Sequence, residues 1–298
     1  MAPPPHSSNE PGILFRTRLA VLPQPAYWGL WVAVLSVAVL AIGFYAVGTP
    51  DFSTGEFTID QQLSRSHVGI LTFIAMSIGT VFSPVGGVLI IAALCLFLLI
   101  VRKSPVNAVA FGGVAAFGWL SSQFFKAIVE RPRPNPALLF DPLAPETGSN
   151  SFPSGHVALV VGFAWAFFFL LRNGPWAKPA VVLGVLVSVA VAWSRLYEGV
   201  HYPSDVIASF LAASAGVLLF CGLWNRFQAQ LLPRIPLLAR FGPVAAPKPE
   251  HNAAGSPRPA IGTTGESIGG RARRPAGGLA SPGGSTSAGS STTNEQNS

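Results

Sequence analysis

Charged residues are scarce in this chain. They make up 10% of its 298 residues, whereas hydrophobic residues make up 50%. Soluble globular domains carry about 25% charged residues, so this composition excludes an ordinary soluble domain and predicts a membrane protein. Cysteine is scarce as well. Cys95 and Cys221 each lie inside an apolar run, which gives no support to a disulfide framework.

Acidic residues are outnumbered by basic ones, and the formal net charge is +7. A nucleic-acid-binding surface would gather this excess into one patch with stacking aromatic residues. Here the basic residues are dispersed in short loops and in a tail rich in Gly, Pro and Ser, so we expect no nucleic-acid partner. Orientation in a membrane explains this distribution better.

Six apolar runs predict an all-α, polytopic bundle of six transmembrane helices, because each approaches the roughly 17 to 25 residues that cross a bilayer. They cover residues 28–47, 85–101, 106–125, 157–171, 180–193 and 206–224. The first run follows a polar leader and exceeds the usual signal-peptide core of about 7 to 15 residues. We therefore interpret it as an anchor rather than a cleavable signal.

A seventh apolar stretch, residues 68–81, has only about three-quarters of the length needed to span a bilayer. We interpret it as one short interfacial or re-entrant helix; the alternative is a short tilted span. If it does not cross, six crossings place eight basic residues on one side, which the positive-inside rule makes cytoplasmic. These residues are Arg16, Arg18, Arg102, Lys103, Arg172, Lys178, Arg226 and Arg234.

This topology predicts a multi-pass protein of the cell membrane with both termini in the cytoplasm. Residues 1–25 form a polar cytoplasmic segment, residues 26–226 the transmembrane domain, and residues 227–298 a cytoplasmic tail. From about residue 243 the tail has almost no large apolar residues, which predicts that most of it is disordered. The remaining unusual polar residues then fall on the non-cytoplasmic face.

The motif Pro-Ser-Gly-His, residues 153–156, directly precedes an apolar run. Ser154 is a good N-cap, and Gly155 permits close approach of another group to the backbone. A helix start presents unpaired N–H groups and the positive end of the helix dipole, which together bind anions. Taken alone, the motif is equally consistent with a plain helix cap beside a fortuitous His156.

Three cations follow the third apolar run. Lys126 lies at its outer end, where a lysine alone would extend towards the lipid headgroups. Arg131 and Arg133 each precede a proline, which disfavours helical backbone at both positions. Rigid cations of this kind suit a multiply charged oxyanion. Arg131 is an additional cation, with pairing to Glu130 as the alternative.

The stretch of residues 194–205 gathers an arginine, a histidine and a carboxylate between two apolar runs. Pro203 suits the first position of a helix, which puts Asp205 in the first turn and His201 just before it. The carboxylate then reaches one imidazole nitrogen, fixes the tautomer and leaves the other nitrogen as a base or nucleophile. Arg195 adds a cation. The alternative is a capping Asp beside an interfacial His.

Together these residues indicate a phosphoryl-transfer site, because catalysis of that reaction is mostly positioning and electrostatic stabilisation. The cations supply the positive charge that Mg²⁺ supplies in other enzymes. The remaining acids, Asp141, Glu146 and Glu198, are scattered, whereas a two-metal phosphatase needs a tight carboxylate cluster. We therefore expect no metal and no cofactor.

The three motifs also match a family pattern with fixed internal spacings, and no part of the pattern is missing. The chain resembles the type-2 phosphatidate phosphatase superfamily over about residues 51–224. That superfamily includes membrane lipid phosphate phosphatases, bacterial undecaprenyl pyrophosphate phosphatases and soluble vanadium-dependent haloperoxidases. The matching positions are Lys126, Arg133, Pro134, Pro153, Ser154, Gly155, His156, Ser194, Arg195, His201 and Asp205.

The resemblance implies a role for each matching residue. His201 would be the nucleophile that forms a phosphohistidine, Asp205 its orienting partner, and His156 the general acid for the leaving oxygen. The phosphate would be held by Lys126, Arg133, Ser154, Gly155 and Arg195. His67 matches nothing in the pattern, and we expect a structural role for it.

The implied function is that of an integral membrane phosphatase acting on a lipid partner at the outer face. Its substrate would be a lipid phosphate or pyrophosphate of the undecaprenyl pyrophosphate, phosphatidylglycerophosphate or phosphatidate type. A phosphotransferase that uses the same intermediate remains an alternative. A transporter is less favoured, because the charges cluster at helix ends and no internal repeat is visible.

Overall fold

The computed structural model describes residues 15–144 and 146–244. The described part of the chain is helical, and the all-α, polytopic architecture expected from the composition is confirmed. Its nine α-helices are α1 Trp28–Gly48, α2 Pro50–Arg65, α3 Gly69–Val81, α4 Pro84–Leu96, α5 Pro105–Val129, α6 Gly155–Leu171, α7 Ala177–Tyr197, α8 Pro203–Leu231 and α9 Pro236–Ala239. The predicted disorder beyond residue 244, and most of the predicted N-terminal segment, lie outside the described residues.

Five of these helices are long and apolar enough to cross a membrane. They are α1, α4 with its π-helical extension Phe97–Val101, α5, α7 and α8. The sixth predicted span forms α6, which has 17 residues, and the seventh apolar stretch forms α3, which has 13. All seven apolar stretches are therefore helical, but by length and composition five rather than six qualify as spans.

Helix α2 was not predicted. The sequence analysis treated this polar segment as the approach to the seventh apolar stretch. Its buried residues are polar, namely Glu56, Asp60 and Ser64, so the segment carries no apolar stripe that would indicate a buried helix. Pro50 starts the helix, as Pro84, Pro105, Pro203 and Pro236 start theirs, because the fixed φ of proline suits the first helical position.

Helix α5 lies at the centre of the bundle and packs against α6 and α8. A Cβ atom on Gly118 of α5 would lie 2.7 Å from the Cα of Gly162 in α6, so only glycine permits this backbone contact. Phe111 and Val114 of α5 share one buried apolar cluster with residues of α6 and α8. The packing fixes the ends of these three helices relative to one another.

The two ends of the bundle differ in chemistry. At one end the N-terminal segment is tied to the helices, since the Leu19 amide donates to Asn107 Oδ1 at 2.8 Å and Trp224 Nε1 donates to the Leu19 carbonyl at 2.8 Å. At the other end the C-terminal ends of α5 and α7 meet the N-terminal ends of α6 and α8. The motif residues lie at this second end.

Candidate active site

His201 and Asp205 form a buried pair at the start of α8. Asp205 Oδ2 lies 3.3 Å from His201 Nδ1 and accepts a hydrogen bond from the Tyr202 amide at 3.0 Å. Pro203 occupies the first helical position, and Asp205, two residues later, forms a capping box with Tyr202. The cap directs the Asp205 carboxylate towards the residues that precede the helix. This arrangement leaves Nε2 of His201 as the ring nitrogen available for chemistry.

The imidazole of His201 is only 1% exposed. Burial lowers the pKa of His201 to about 3, and the nearby charges of Arg133 and Lys126 act in the same direction. The hydrogen bond that His201 donates to Asp205 opposes that shift. At neutral pH the ring is therefore unprotonated, which is the form that a nucleophile requires.

The start of α6 lies directly beside this pair. The Ser154 amide donates to the Asp205 carbonyl at 3.3 Å, which joins the two segments that carry His156 and His201. Ser154 is the N-cap of α6, but its buried Oγ has no hydrogen-bond partner among the described residues. The first amides of a helix also lack intrahelical acceptors, so this corner offers several donors to an anion.

His156 lies in the first turn of α6, on the same side of the bundle as His201. Its imidazole forms a hydrogen bond with the backbone of Gly79 and lies within electrostatic range of Arg133, Arg195 and His201. It lines a cavity of about 330 Å³ together with Arg195 and residues of α3. The two histidines of the sequence motifs therefore share one end of the molecule.

Two predicted phosphate-binding cations, Lys126 and Arg133, contact the loop between α5 and α6 and are not among the residues that line this cavity, although Glu146, the partner of Arg133, is. Lys126 Nζ donates to the carbonyl of Asn150 and, at 3.4 Å, to that of Ser151. Arg133 Nη1 lies 2.8 Å from Glu146 Oε2, and its Nε donates to Asn150 Oδ1 at 2.8 Å. Burial lowers the pKa of Arg133, and Glu146 opposes this effect.

The third predicted cation, Arg195, is 2% exposed and forms a buried ion pair with Glu198. Burial raises the pKa of Glu198 to about 7, even though Arg195 lowers it. Both side chains line the cavity with His156. The sequence analysis treated Glu146 and Glu198 as scattered acids, whereas the structure pairs each with an arginine of the motifs.

Arg131 does not join the other cations, and the suggested pairing with Glu130 is wrong. Its Nη1 donates to Asp205 Oδ1 at 2.7 Å, and its Nη2 donates to Glu56 Oε2 at 2.8 Å. The guanidinium also lies 3.9 Å from the ring centre of Tyr202. Arg131 is thus a buried residue beneath the His201–Asp205 pair rather than a residue of the cavity.

Helix α3 covers the cavity. The Val68 amide before its first turn donates to Tyr197 Oη at 2.8 Å, and Gly79 in its last turn lies against Arg195. Both ends of α3 therefore meet the C-terminal end of α7. A Cβ atom on Gly79 would lie 2.1 Å from Arg195 Nη2, so glycine is required for this approach. No local sequence pattern marks Gly79.

His67, which matched no motif, connects α3 to the loop after α5. Its Nδ1 lies 2.9 Å from Asp141 Oδ2, and its Nε2 lies 2.8 Å from the Tyr197 carbonyl. These contacts fix the loop and α3 to α7, in line with the structural role expected for His67. Within residues 15–144 and 146–244, no group of three or more His, Cys, Asp or Glu side chains is arranged to hold a metal ion.

Comparisons with a family model and with individual proteins agree with one another. Residues 107–229, which contain all three motifs, match the PAP2 superfamily. Undecaprenyl-diphosphatase BcrC of Bacillus subtilis (strain 168) is 29% identical over 175 residues, which are 59% of this chain and 84% of that protein. Phosphatidylglycerophosphatase B of the same organism is 35% identical over 106 residues, which are 34% of this chain and 48% of that protein.

A solved structure shares the fold. It is a transmembrane PAP2-type phosphatidylglycerolphosphate phosphatase from Bacillus subtilis, with a TM-score of 0.55 at 22% identity. The likeness covers 67% of this chain and 98% of that chain. The bundle, the three motifs and these relatives agree, and the chain belongs to the PAP2 superfamily, the type-2 phosphatidate phosphatases.

Proposed function

We propose that this chain, a membrane phosphatase of the PAP2 type, hydrolyses a lipid pyrophosphate or phosphate through a phosphohistidine on His201. The observation that carries the proposal is the buried His201–Asp205 pair, whose free Nε2 belongs to the same end of the bundle as His156 and three cations. Cations and hydrogen-bond donors placed in this way stabilise the negative charge of a phosphoryl group during its transfer.

The first step forms the bond between His201 Nε2 and phosphorus while the bond from phosphorus to the leaving oxygen breaks. Asp205 stabilises the positive charge that develops on the imidazole, and His156 donates a proton to the leaving oxygen. In the second step His156 accepts a proton from water, whose oxygen attacks phosphorus and breaks the phosphorus–nitrogen bond. Inorganic phosphate is then the product.

Lys126, Arg133 and Arg195 would hold the non-bridging oxygens, with Ser154 Oγ and the Gly155 amide as hydrogen-bond donors. An incoming phosphate replaces Glu146 and Glu198 as the partner of the two arginines. Three cations match the charge of a pyrophosphate, and a relative covered over 84% of its length is named an undecaprenyl-diphosphatase. We therefore favour a polyprenyl pyrophosphate over phosphatidylglycerophosphate or phosphatidate.

The lipid chain of the substrate would remain among the helices. A groove of about 450 Å³ between α4, α6 and α7 is lined by apolar side chains that include Ile90, Phe163 and Leu183. Phe82 also lines this groove, and the next two residues, Ser83 and Pro84, line the catalytic cavity. A head group in the cavity is thus compatible with an apolar chain in the groove.

The charge distribution supports a site on the non-cytoplasmic face. Arg102, Lys103 and Arg172 lie in the short connections at the end of the bundle opposite the motifs, and Lys178 lies at the same end in the first turn of α7. The positive-inside rule makes that end cytoplasmic. We propose six crossings, by α1 and α4 to α8, because 17 residues are at the lower limit for a span and the 13 residues of α3 are too few.

The test is a panel of lipid pyrophosphates and phosphates hydrolysed by the purified full chain, with His201→Ala as the blank. We expect release of phosphate from undecaprenyl pyrophosphate and none from the variant. Brief reaction with substrate labelled at the terminal phosphate should also leave acid-labile label on the wild-type protein alone. Unchanged turnover by His201→Ala would remove the assigned nucleophile, and transfer of label to an added alcohol in place of water would favour a phosphotransferase.

A further inference from the structure

Arg131 occupies a position that the three family motifs do not explain. It is 2% exposed, and its guanidinium divides its hydrogen bonds between two helices. Nη1 donates to Asp205 Oδ1 at 2.7 Å and to Ser204 Oγ at 2.8 Å at the start of α8. Nη2 donates to Glu56 Oε2 at 2.8 Å and Ser53 Oγ at 2.7 Å on α2.

Glu56 on α2 also binds the start of α8. Its Oε1 accepts from the Ser204 amide at 2.6 Å, and its Oε2 accepts from Ser204 Oγ at 2.8 Å. Ser204 directly precedes Asp205, so Glu56 contacts both neighbours of that carboxylate, Ser204 along the chain and Arg131 through space. Glu56 and the whole of α2 lie outside the region matched to the superfamily, residues 107–229.

The two carboxylate oxygens of Asp205 have separate partners. Oδ1 is bound by Arg131, whereas Oδ2 accepts from Ser151 Oγ and the Tyr202 amide and faces His201 Nδ1. The bond to Arg131 therefore fixes the rotation of the carboxylate, and that rotation decides whether Oδ2 points at the imidazole.

The buried group formed by Arg131, Glu56 and Asp205 carries a formal net charge of −1. Arg131 contributes one positive charge, and Glu56 and Asp205 each contribute a negative one. Asp60, one turn further along α2, is also buried, and burial raises its pKa to about 8, so it is largely neutral at pH 7. Glu56 thus offsets the positive charge of Arg131 and leaves Asp205 able to stabilise a positive ring on His201.

We propose that Glu56 and Arg131 are positioning residues for the nucleophile, and that α2 is part of the catalytic unit of this chain. They act through Asp205: Arg131 sets the rotation of its carboxylate, and Glu56 fixes Arg131 and Ser204. The inference rests on the proposed function, because it assumes that His201 is the attacking group. The contacts themselves place these residues behind the pair, not in the cavity.

The test compares Glu56→Gln with Asp51→Asn in the purified full chain. Both changes remove one acid from α2, but Asp51 is exposed in the first turn of the helix. Glu56→Gln should lower kcat for undecaprenyl pyrophosphate by about 10- to 100-fold, the usual cost of removing an outer partner that orients a reactive group. KM should stay unchanged, since the phosphate-binding cations are untouched. Asp51→Asn should behave as the wild type.

A second measurement reports on the imidazole itself. In histidine-labelled protein, the ¹⁵N shifts of His201, assigned from their loss in His201→Ala, distinguish the Nδ1–H from the Nε2–H tautomer. We expect the Nδ1–H tautomer alone in the wild type and in Asp51→Asn, and a mixture in Glu56→Gln. A residue that only supports folding would not change this ratio in a folded protein.

The outcomes separate the two proposals. If the wild type hydrolyses none of the lipids, the proposed function fails, while the tautomer ratio still decides the positioning role. Wild-type kcat together with a single tautomer in Glu56→Gln would overturn that role. If Glu56→Gln does not fold, Ser53→Ala removes one hydrogen bond to Arg131 and keeps every charge. It should lower kcat by about three- to tenfold at constant KM, and an unchanged kcat would refute the inference.

Discussion

A methyl group at position 79 would enter the space that the Arg195 guanidinium occupies. An ideal Cβ atom on Gly79 lies 2.1 Å from Arg195 Nη2 and 3.1 Å from Glu198 Oε1, and ordinary van der Waals contact begins at 3.4 Å. In Gly79→Ala the guanidinium or α3 must therefore move by about 1.3 Å, the difference between 3.4 and 2.1 Å. Movement of the guanidinium would displace the proposed phosphate-binding group of Arg195, and movement of α3 would change the shape of the cavity that it lines.

The displacement should be costly for catalysis and harmless for folding. Misplacing a group at the reacting centre by about 1 Å costs about 10²-fold in rate, equivalent to about 2.7 kcal/mol of transition-state stabilisation. Alanine is favoured over glycine inside a helix by about 1 kcal/mol, which offsets part of the strain at the contact. We expect kcat/KM to fall about 100-fold while the unfolding temperature changes by only a few degrees.

Gly69 provides the matched control on the same helix. A Cβ atom on Gly69 meets nothing within 4 Å, so Gly69→Ala makes the same chemical change away from the cavity. Both variants are assayed for phosphate release from undecaprenyl pyrophosphate in detergent micelles, beside the wild type. If Gly79→Ala and Gly69→Ala have the same kcat/KM, α3 does not set the position of Arg195 and the reasoning is refuted.

Three further expectations concern the candidate active site. Ser154→Ala should lower kcat/KM by about 10- to 100-fold, because a hydrogen bond to a charged group contributes about 1.5 to 3 kcal/mol. It should not lower the unfolding temperature, because Ser154 Oγ has no partner to lose among the described residues. A loss of stability equal to the loss of activity would contradict this expectation. Glu198 has its pKa raised to about 7, so it is neutral below that pH and competes for Arg195 above it. KM should therefore rise as pH increases through about 7, and Glu198→Gln should remove that rise; a rise that persists in the variant would exclude Glu198. Activity should persist in excess EDTA, and loss reversed by Mg²⁺ would indicate metal chemistry.

Sequence patterns located most of the helices, the motif residues and the pairing of His201 with Asp205, but not the other partners of the motif residues. The apolar runs predicted α1 and α3 to α8, because a helix buried in lipid needs a long stretch of apolar residues. The motif residues converge because successive spanning helices alternate in direction, so the end of α5 meets the start of α6. The prediction that the motif residues share one face of the membrane needed only this alternation and the short motifs.

The missed features depend on contacts between segments far apart in the chain. Glu56 and Ser204 are 148 positions apart, and no local period links them. A buried polar face on α2 gives the opposite of the usual amphipathic signal. The sequence analysis assigned Arg131 either as an additional cation of the site or as the partner of Glu130, whereas its partners come from α2 and α8. Long-range ion pairs of this kind can be predicted only when the tertiary packing is known.

The hydrogen bond from the Ser154 amide to the Asp205 carbonyl has a consequence for catalysis in a deformable bilayer. Spanning helices tilt when the thickness of the surrounding lipid changes. Because this bond couples the start of α6 to the start of α8, we expect tilting to move both segments together and to preserve the separation of the His201 and His156 rings. Turnover should therefore depend little on acyl-chain length in reconstituted vesicles.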